Sequence, residues 1–215
     1  MTDALNTLGT PELLALAAAL GWASGLRLYL VVFATGLAGW LGWIALPPGL
    51  QALQHPALLG VSGFMLFVEF FADKIPYVDS IWDLANSVIR VPAGAALAAG
   101  ALGADSATMA LVADSATMAL VAALMGGTLA ATSQAAKTST RAAVNASPEP
   151  FSNVGASLVE DGLVVGALWL ATQHPLVFAV LLCIVVIAMW LVTWMLFRFL
   201  RAAWRRVFAF VPKEN

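Results

Sequence analysis

Long apolar runs alternate with short polar interruptions along this chain, and the runs are too continuous for amphipathic surface helices. The clearest run, 175–197 (PLVFAVLLCIVVIAMWLVTWMLF), carries no charge. At about 1.5 Å per residue it is longer than the roughly 30 Å hydrocarbon core of a bilayer. The whole pattern predicts an all-α polytopic transmembrane bundle of about six spans, at 12–45, 57–73, 77–103, 118–145, 151–172 and 175–197. Thr10-Pro11-Glu12 reads as a helix start, with Thr10 as cap, Pro11 at the first helical position and Glu12 in the first turn. The first run is too long for one straight span. A break is expected near 21–25 (GWASG), giving one tilted helix or a half-helix followed by a full one. Pro47-Pro48-Gly49 ends it. Two Gln-His-Pro tripeptides, at 54–56 and 173–175, start the second and sixth helices, and Pro92 is a possible kink in the third.

Between the third and fourth spans one nonapeptide, ADSATMALV, stands twice, at 104–112 and 113–121. Solenoid proteins repeat longer units several times. A perfect copy reads as a recent duplication that lengthens a loop or a helix end, and it suggests no function.

Composition supports a membrane protein. Of 215 residues, 61% are hydrophobic and 10% charged, with a mean hydropathy of +0.90; a soluble domain carries about 25% charged residues. The net charge of −2 decides little. The single cysteine, Cys183, excludes an internal disulfide and suits a packing role. The N-terminus lacks a basic segment, so no cleavable signal peptide is expected. No nucleophile elbow, HExxH, P-loop or cysteine pair is present, so nothing specific favours an enzyme, an intramembrane one using the carboxylates ranks third among the readings, and no cofactor is expected. The basic residues form no run suited to nucleic acid. His55 and His174 start helices and, without clustered carboxylates or cysteines, make a poor metal pair.

Basic residues set the expected orientation. Arg198, Arg201, Arg205, Arg206 and Lys213 place the C-terminus in the cytoplasm, and six spans bring the N-terminus there too. Lys74, Lys137 and Arg141 then fall inside, and the outer connections hold no Lys or Arg. A five- or seven-span count is expected to misplace one basic group. The segment 198–211 reads as an amphipathic basic helix lying on anionic lipid.

Charge is concentrated in two stretches. Residues 69–90 hold Glu69, Asp73, Lys74, Asp79, Asp83 and Arg90; residues 137–161 hold Lys137, Arg141, Glu149, Glu160 and Asp161. Ionisable groups in or beside hydrocarbon are costly and mark functional sites. Glu69 and Asp73 share a helix face at i, i+4, so one carboxyl should be protonated or a cation should sit between them, with Lys74 and Arg90 as possible countercharges. Asp79 and Asp83 repeat the spacing, with Asp79 also a candidate N-cap. Ser133, Lys137, Arg141 and Asn145 form a polar stripe every four residues. Glu160 and Asp161 lie about ten residues into the fifth helix and need partners. Arg27, deep in the first run, is expected to face inward and pair with Glu69, Glu160 or Asp161. Gly21/Gly25 and Gly162/Gly166 offer close helix contacts.

A weak internal repeat aligns Pro76 with Pro150. It pairs Tyr77 with Phe151, Asp79 with Asn153, Asp83 with Ser157, Leu84 with Leu158, Asn86 with Glu160 and Ser87 with Asp161. If real, it makes two similar halves related by an axis along the membrane normal and brings both charged stretches to that axis.

The strings ASGLRLYL, FVEFFADKIPYVDSIWD and AAKTSTRAAVNASPEPFSNVGASLVED resemble the bacterial integral-membrane family filed as domain of unknown function 4126, across about 13–170. The resemblance implies a multi-pass inner-membrane protein and carries no catalytic residue; the perfect nonapeptide copy departs from the family pattern. Two readings remain open. In one, the chain is a small permease or channel-like protein for an ion or small polar solute. Its pathway or ligand site would draw on Arg27, Glu69, Asp73, Lys74, Asp79, Asp83, Lys137, Arg141, Asn145, Glu149, Asn153, Glu160 and Asp161. In the other it is a non-transporting scaffold or lipid-binding protein whose buried charges are structural. The expected partners are the bilayer, anionic lipid at the tail, the solute and a second copy of the chain, with no nucleic acid.

Overall fold

A computed structural model describes residues 8–102, 115–145 and 150–209. The helices are α1 (Thr10–Trp40), a short 3-10 helix (Pro48–Gln54), α2 (Pro56–Ala72), α3 (Val78–Leu102), α4 (Ser115–Val144), α5 (Pro150–Gln173) and α6 (Pro175–Ala209). No strand occurs among the described residues. Five helices are long and apolar enough to cross a membrane: α1, α3, α4, α5 and α6. The short helix and α2 make a sixth only if they are taken as one span, bent by 70°.

The first helix departs from the expected form. Gly9 rather than Thr10 stands at the N-cap, and Thr10 is the first helical residue. The 21–25 segment stays helical, and the break falls at Arg27, whose backbone (φ −145°, ψ 74°) leaves the helical region. Two arms result, 10–26 and 28–40. Leu16 of the first arm and Ala34, Thr35 and Ala38 of the second line one cavity of about 280 Å³ with Val165 and Leu168 of α5. In a straight helix Leu16 and Thr35 would stand about 28 Å apart. A cavity of that size holds both only if α1 folds back at Arg27.

The packing partners agree. Ala15 and Ala19 pack with Ala171 and Phe178, at the junction of α5 and α6. Farther along the first arm, Trp22 donates through Nε1 to the Met189 sulfur, deep along α6. The second arm runs back toward Thr172 and Gln173 at the end of α5. Both ends of α1 therefore lie at one end of the bundle, and Arg27 is the tip of a re-entrant hairpin.

Small residues let that hairpin enter the core. The first arm is buried along nearly its whole length from Ala15 to Leu26. A Cβ on Gly21 would lie 2.5 Å from the Gly126 Cα of α4, and Gly25 abuts Ala130 and Ser133. This pair makes the close contact expected of it. Gly162 and Gly166 do not: nothing lies within 4 Å of a Cβ at either. They border an apolar groove of about 360 Å³ beneath Trp22, because that face of α5 looks into the gap beside α6.

Helices α3 and α4 share the largest interface. Consecutive helices α2 and α3 barely touch, nor do α4 and α5; each instead packs on α1. Helix α3 runs through Pro92. Helix α6 continues to Ala209, so the basic 198–209 stretch prolongs the last helix instead of forming a separate in-plane one. No Gly or Pro interrupts it after Pro175. The first ADSATMALV copy lies wholly outside the described residues, and the second enters α4 from Ser115.

Spin labels at Leu16→Cys and Thr35→Cys, in a Cys183→Ser background, should report a separation well under 20 Å by pulsed electron resonance. A straight helix would give about 28 Å.

Candidate functional site

The charged stretches meet at the tip of the hairpin. The polar stripe of α4 runs past the break, and each member has a distinct partner. Ser133 Oγ donates to the Trp22 carbonyl at 2.6 Å. One turn on, Lys137 Nζ donates to the Leu26 carbonyl at 3.0 Å. Irregular backbone at membrane depth is tolerated where its polar groups find protein partners, and α4 supplies them.

Lys137 is the hub. Besides the Leu26 carbonyl, its ammonium lies 3.1 Å from Asp73 Oδ2, 3.1 Å from Asp83 Oδ1 and 3.2 Å from Glu160 Oε2. These oxygens come from α1, the end of α2, α3 and α5. Arg27 Nη1 is 2.6 Å from Asp73 Oδ2, and its Nε is 3.0 Å from Asp161 and 3.6 Å from Glu160. Its Nη2 also donates to Ser157 Oγ at 2.6 Å. Of the partners expected for Arg27, Glu160 and Asp161 are present. Glu69 is not: it binds Arg90 at 2.6 Å instead. Arg90, two turns beyond Asp83 on the same helix face, also donates to Asp83 at 2.8 Å and to Gln134 at 2.9 Å.

The i, i+4 pair Glu69 and Asp73 is thus divided between cations. Arg90 takes the first, Arg27 and Lys137 the second, and no single ion between the two is required. Arg141 bridges further, to Glu160 at 3.2 Å and to the carbonyls of Asp73 and Asn153. Asn145 ends the stripe. Its Nδ2 donates to both oxygens of Asp79, at 2.9 and 3.1 Å, and its Oδ1 accepts from Asn153 at 3.0 Å. Asp79 also accepts from the Ser80 amide at 2.7 Å in the first turn of α3. The turn before it holds Tyr77 at φ 69°, an unfavourable conformation for a bulky residue. Asp79 and Asn153, paired by the repeat alignment, therefore converge on one amide. Their repeat neighbours Asp83 and Ser157 are both fully buried.

Burial defines a closed core with one edge. The side chains of Arg27, Glu69, Asp73, Asp83, Arg90, Lys137 and Arg141 are at most 1% exposed, whereas Glu160 is 12% and Asp161 25% exposed. Lys74 stands at that edge. Its ammonium lies 3.0 Å from the centre of the Phe70 ring, donates to the Phe70 carbonyl at 3.0 Å, and reaches Ser157 Oγ at 3.5 Å. Burial lowers the Lys74 pKa from its ordinary value, with Arg27 and Arg141 pushing the same way against Asp161 and Asp73. Glu149 lies outside the described residues.

The charges do not balance. Six carboxylates (Glu69, Asp73, Asp79, Asp83, Glu160, Asp161) face four buried cations (Arg27, Arg90, Lys137, Arg141), or five with Lys74. Glu69 Oε2, Asp73 Oδ1 and Asp83 Oδ2 are buried without a hydrogen-bond partner. Uncompensated buried charge is costly, so the cluster gains from a proton or a bound cation. Among the described residues, no three His, Cys, Asp or Glu side chains are grouped to hold a metal ion. His55 instead caps α2, its Nδ1 accepting from the Ala57 amide, and His174 packs its ring edge-on to Trp169.

The sequence did not single out three contributors. Ser157 was visible only as the repeat partner of Asp83. Gln134 is the one amide inside α4 and adjoins the stripe. Tyr29, whose hydroxyl donates to Asn86 at 2.8 Å, gave no signal beyond its nearness to Arg27.

An α-helical bundle with apolar spans around a buried charged core defines a membrane protein. The chain belongs to the family described as domain of unknown function (DUF4126), which it matches over residues 14–195. No curated protein and no solved structure matches it.

Lys137→Met should be strongly destabilising, by about 3–5 kcal/mol, because it removes the one ammonium shared by Asp73, Asp83 and Glu160 and enlarges the buried negative excess. The melting temperature in detergent checks this; an unchanged value would show that the ammonium is dispensable.

Proposed function

We propose that the protein is a small inner-membrane permease or channel-like protein for an ion or small polar solute, whose pathway passes the charged core at the tip of α1. The observation carrying this reading is the imbalance of that core. A purely structural network gains nothing from carboxylates in excess of its cations, two without Lys74 and one with it, whereas a site that accepts and releases a cation needs them. The four buried cations are each engaged by carboxylates, which argues against an anion. A re-entrant hairpin with side-chain-satisfied carbonyls at its tip suits such a role, since broken helices in transporters serve binding sites. The alternative, a scaffold or lipid-binding protein, draws support from the density of closed ion pairs.

The test is flux in proteoliposomes across a panel of small cations and neutral solutes. Glu160→Gln should abolish uptake of the transported solute while leaving expression intact. Intact uptake in that variant would remove the pathway assignment, and absence of any uptake by the wild type would favour the scaffold.

The re-entrant α1 also bears on orientation. With the arginine-rich end of α6 in the cytoplasm, α3 to α6 and the bent pair of the short helix and α2 would make five crossings, and Lys74, Lys137 and Arg141 would stay on the inner side. The positive-inside rule is satisfied because no Lys or Arg precedes Arg27. A five-span count thus misplaces no basic group, contrary to the expectation from straight helices, and the N-terminus falls outside. A periplasm-active reporter fused at the N-terminus should be active and a cytoplasm-active one silent; the reverse would restore six crossings.

A further inference from the structure

We propose that the crevice between α1, α2 and α5 binds a small organic ammonium ion, with Asp161 as its countercharge. This rests on the permease reading and names its substrate class.

The crevice measures about 420 Å³, within the range of small-ligand sites. Leu30, Leu66, Phe67, Phe70 and Val165 form its walls, and Asp161 is the one ionisable residue lining it. Asp161 is also the most exposed carboxylate of the core, so the crevice opens onto the cluster at its accessible edge. Charge fixes the sign of the ligand. The cluster has more carboxylates than cations, and an arriving cation improves the balance where an anion would worsen it.

The walls fix its chemistry. An inorganic ion gains nothing from leucine and phenylalanine, while a cation with an apolar body buries that body against them and places its charge at Asp161. The protein already displays this mode of binding. Lys74, a tethered primary ammonium, stands over the Phe70 ring, held by the Phe70 carbonyl and close to Ser157 Oγ. A free ammonium entering the crevice comes up against Phe70, Phe67 and Asp161, which line it together.

Isothermal titration calorimetry of the purified protein in detergent tests this with benzylammonium and its neutral counterpart, benzyl alcohol. Benzylammonium should bind saturably and at least roughly tenfold more tightly than benzyl alcohol, the difference expected for a charge-assisted contact. Asp161→Asn should remove that preference. Because Asp161 also contacts Arg27, Phe70→Leu serves as a second variant; it keeps the apolar wall and should weaken benzylammonium binding severalfold. Equal binding of the two probes, or benzylammonium binding that neither variant alters, would overturn the proposal. Binding without uptake in proteoliposomes would keep the site and remove the permease reading. Uptake of another solute without benzylammonium binding would remove the site alone.

Discussion

The fold depends on the pairing of Arg27 with Asp73. A guanidinium at the tip of a folded-back helix would be prohibitively costly in hydrocarbon. It is tolerated because Asp73 lies 2.6 Å away, Asp161 lies 3.0 Å from its Nε, and its Nη2 donates to Ser157. Everything else around the tip supports that arrangement. Glycines at 21 and 25 let the first arm press against α4. Ser133 and Lys137 satisfy carbonyls flanking the break. The ends of α2 and α4 and the starts of α3 and α5 converge there, which is why both charged stretches fall around the α2–α3 and α4–α5 connections and within about three turns of them.

Much of the site was legible in the sequence because ionisable residues are conspicuous in an apolar chain. The four-residue stripe of α4 is a simple helix periodicity, and all four members are buried and engaged. The alignment of 76 with 150 anticipated that the two stretches would meet, as Asp79 and Asn153 do at Asn145. The shape of α1 was not legible. Glycines in GWASG look like a helix break, yet in a crowded core they serve close packing, and the chain breaks instead at Arg27, where ion pairs compensate the irregular backbone. For Glu69 the sequence offered Lys74, Arg90 and Arg27 as cations, and the structure pairs it with Arg90, which stands two turns beyond Asp83 and reaches back across the α2–α3 gap.

Electrostatics and architecture lead to one functional picture. A closed, balanced network would hold helices together and nothing more. This one has surplus carboxylates, unpartnered buried oxygens and an exposed edge at Glu160 and Asp161. In the proposed function such a core would respond to the arrival of a cation, and the hairpin that carries Arg27 would be the element to shift, since Arg27 shares its carboxylates with Lys137 and Arg141.

A double-mutant cycle on Arg27→Met and Asp73→Asn, read as melting temperature in detergent, tests the central claim most directly. If the pair anchors the re-entrant tip, each single variant should melt far below wild type, and the double should melt no lower than the worse single, with a coupling above about 1 kcal/mol. Losses that simply add would mean that Arg27 and Asp73 act independently, and would contradict the folded-back α1 on which this account of the protein is built.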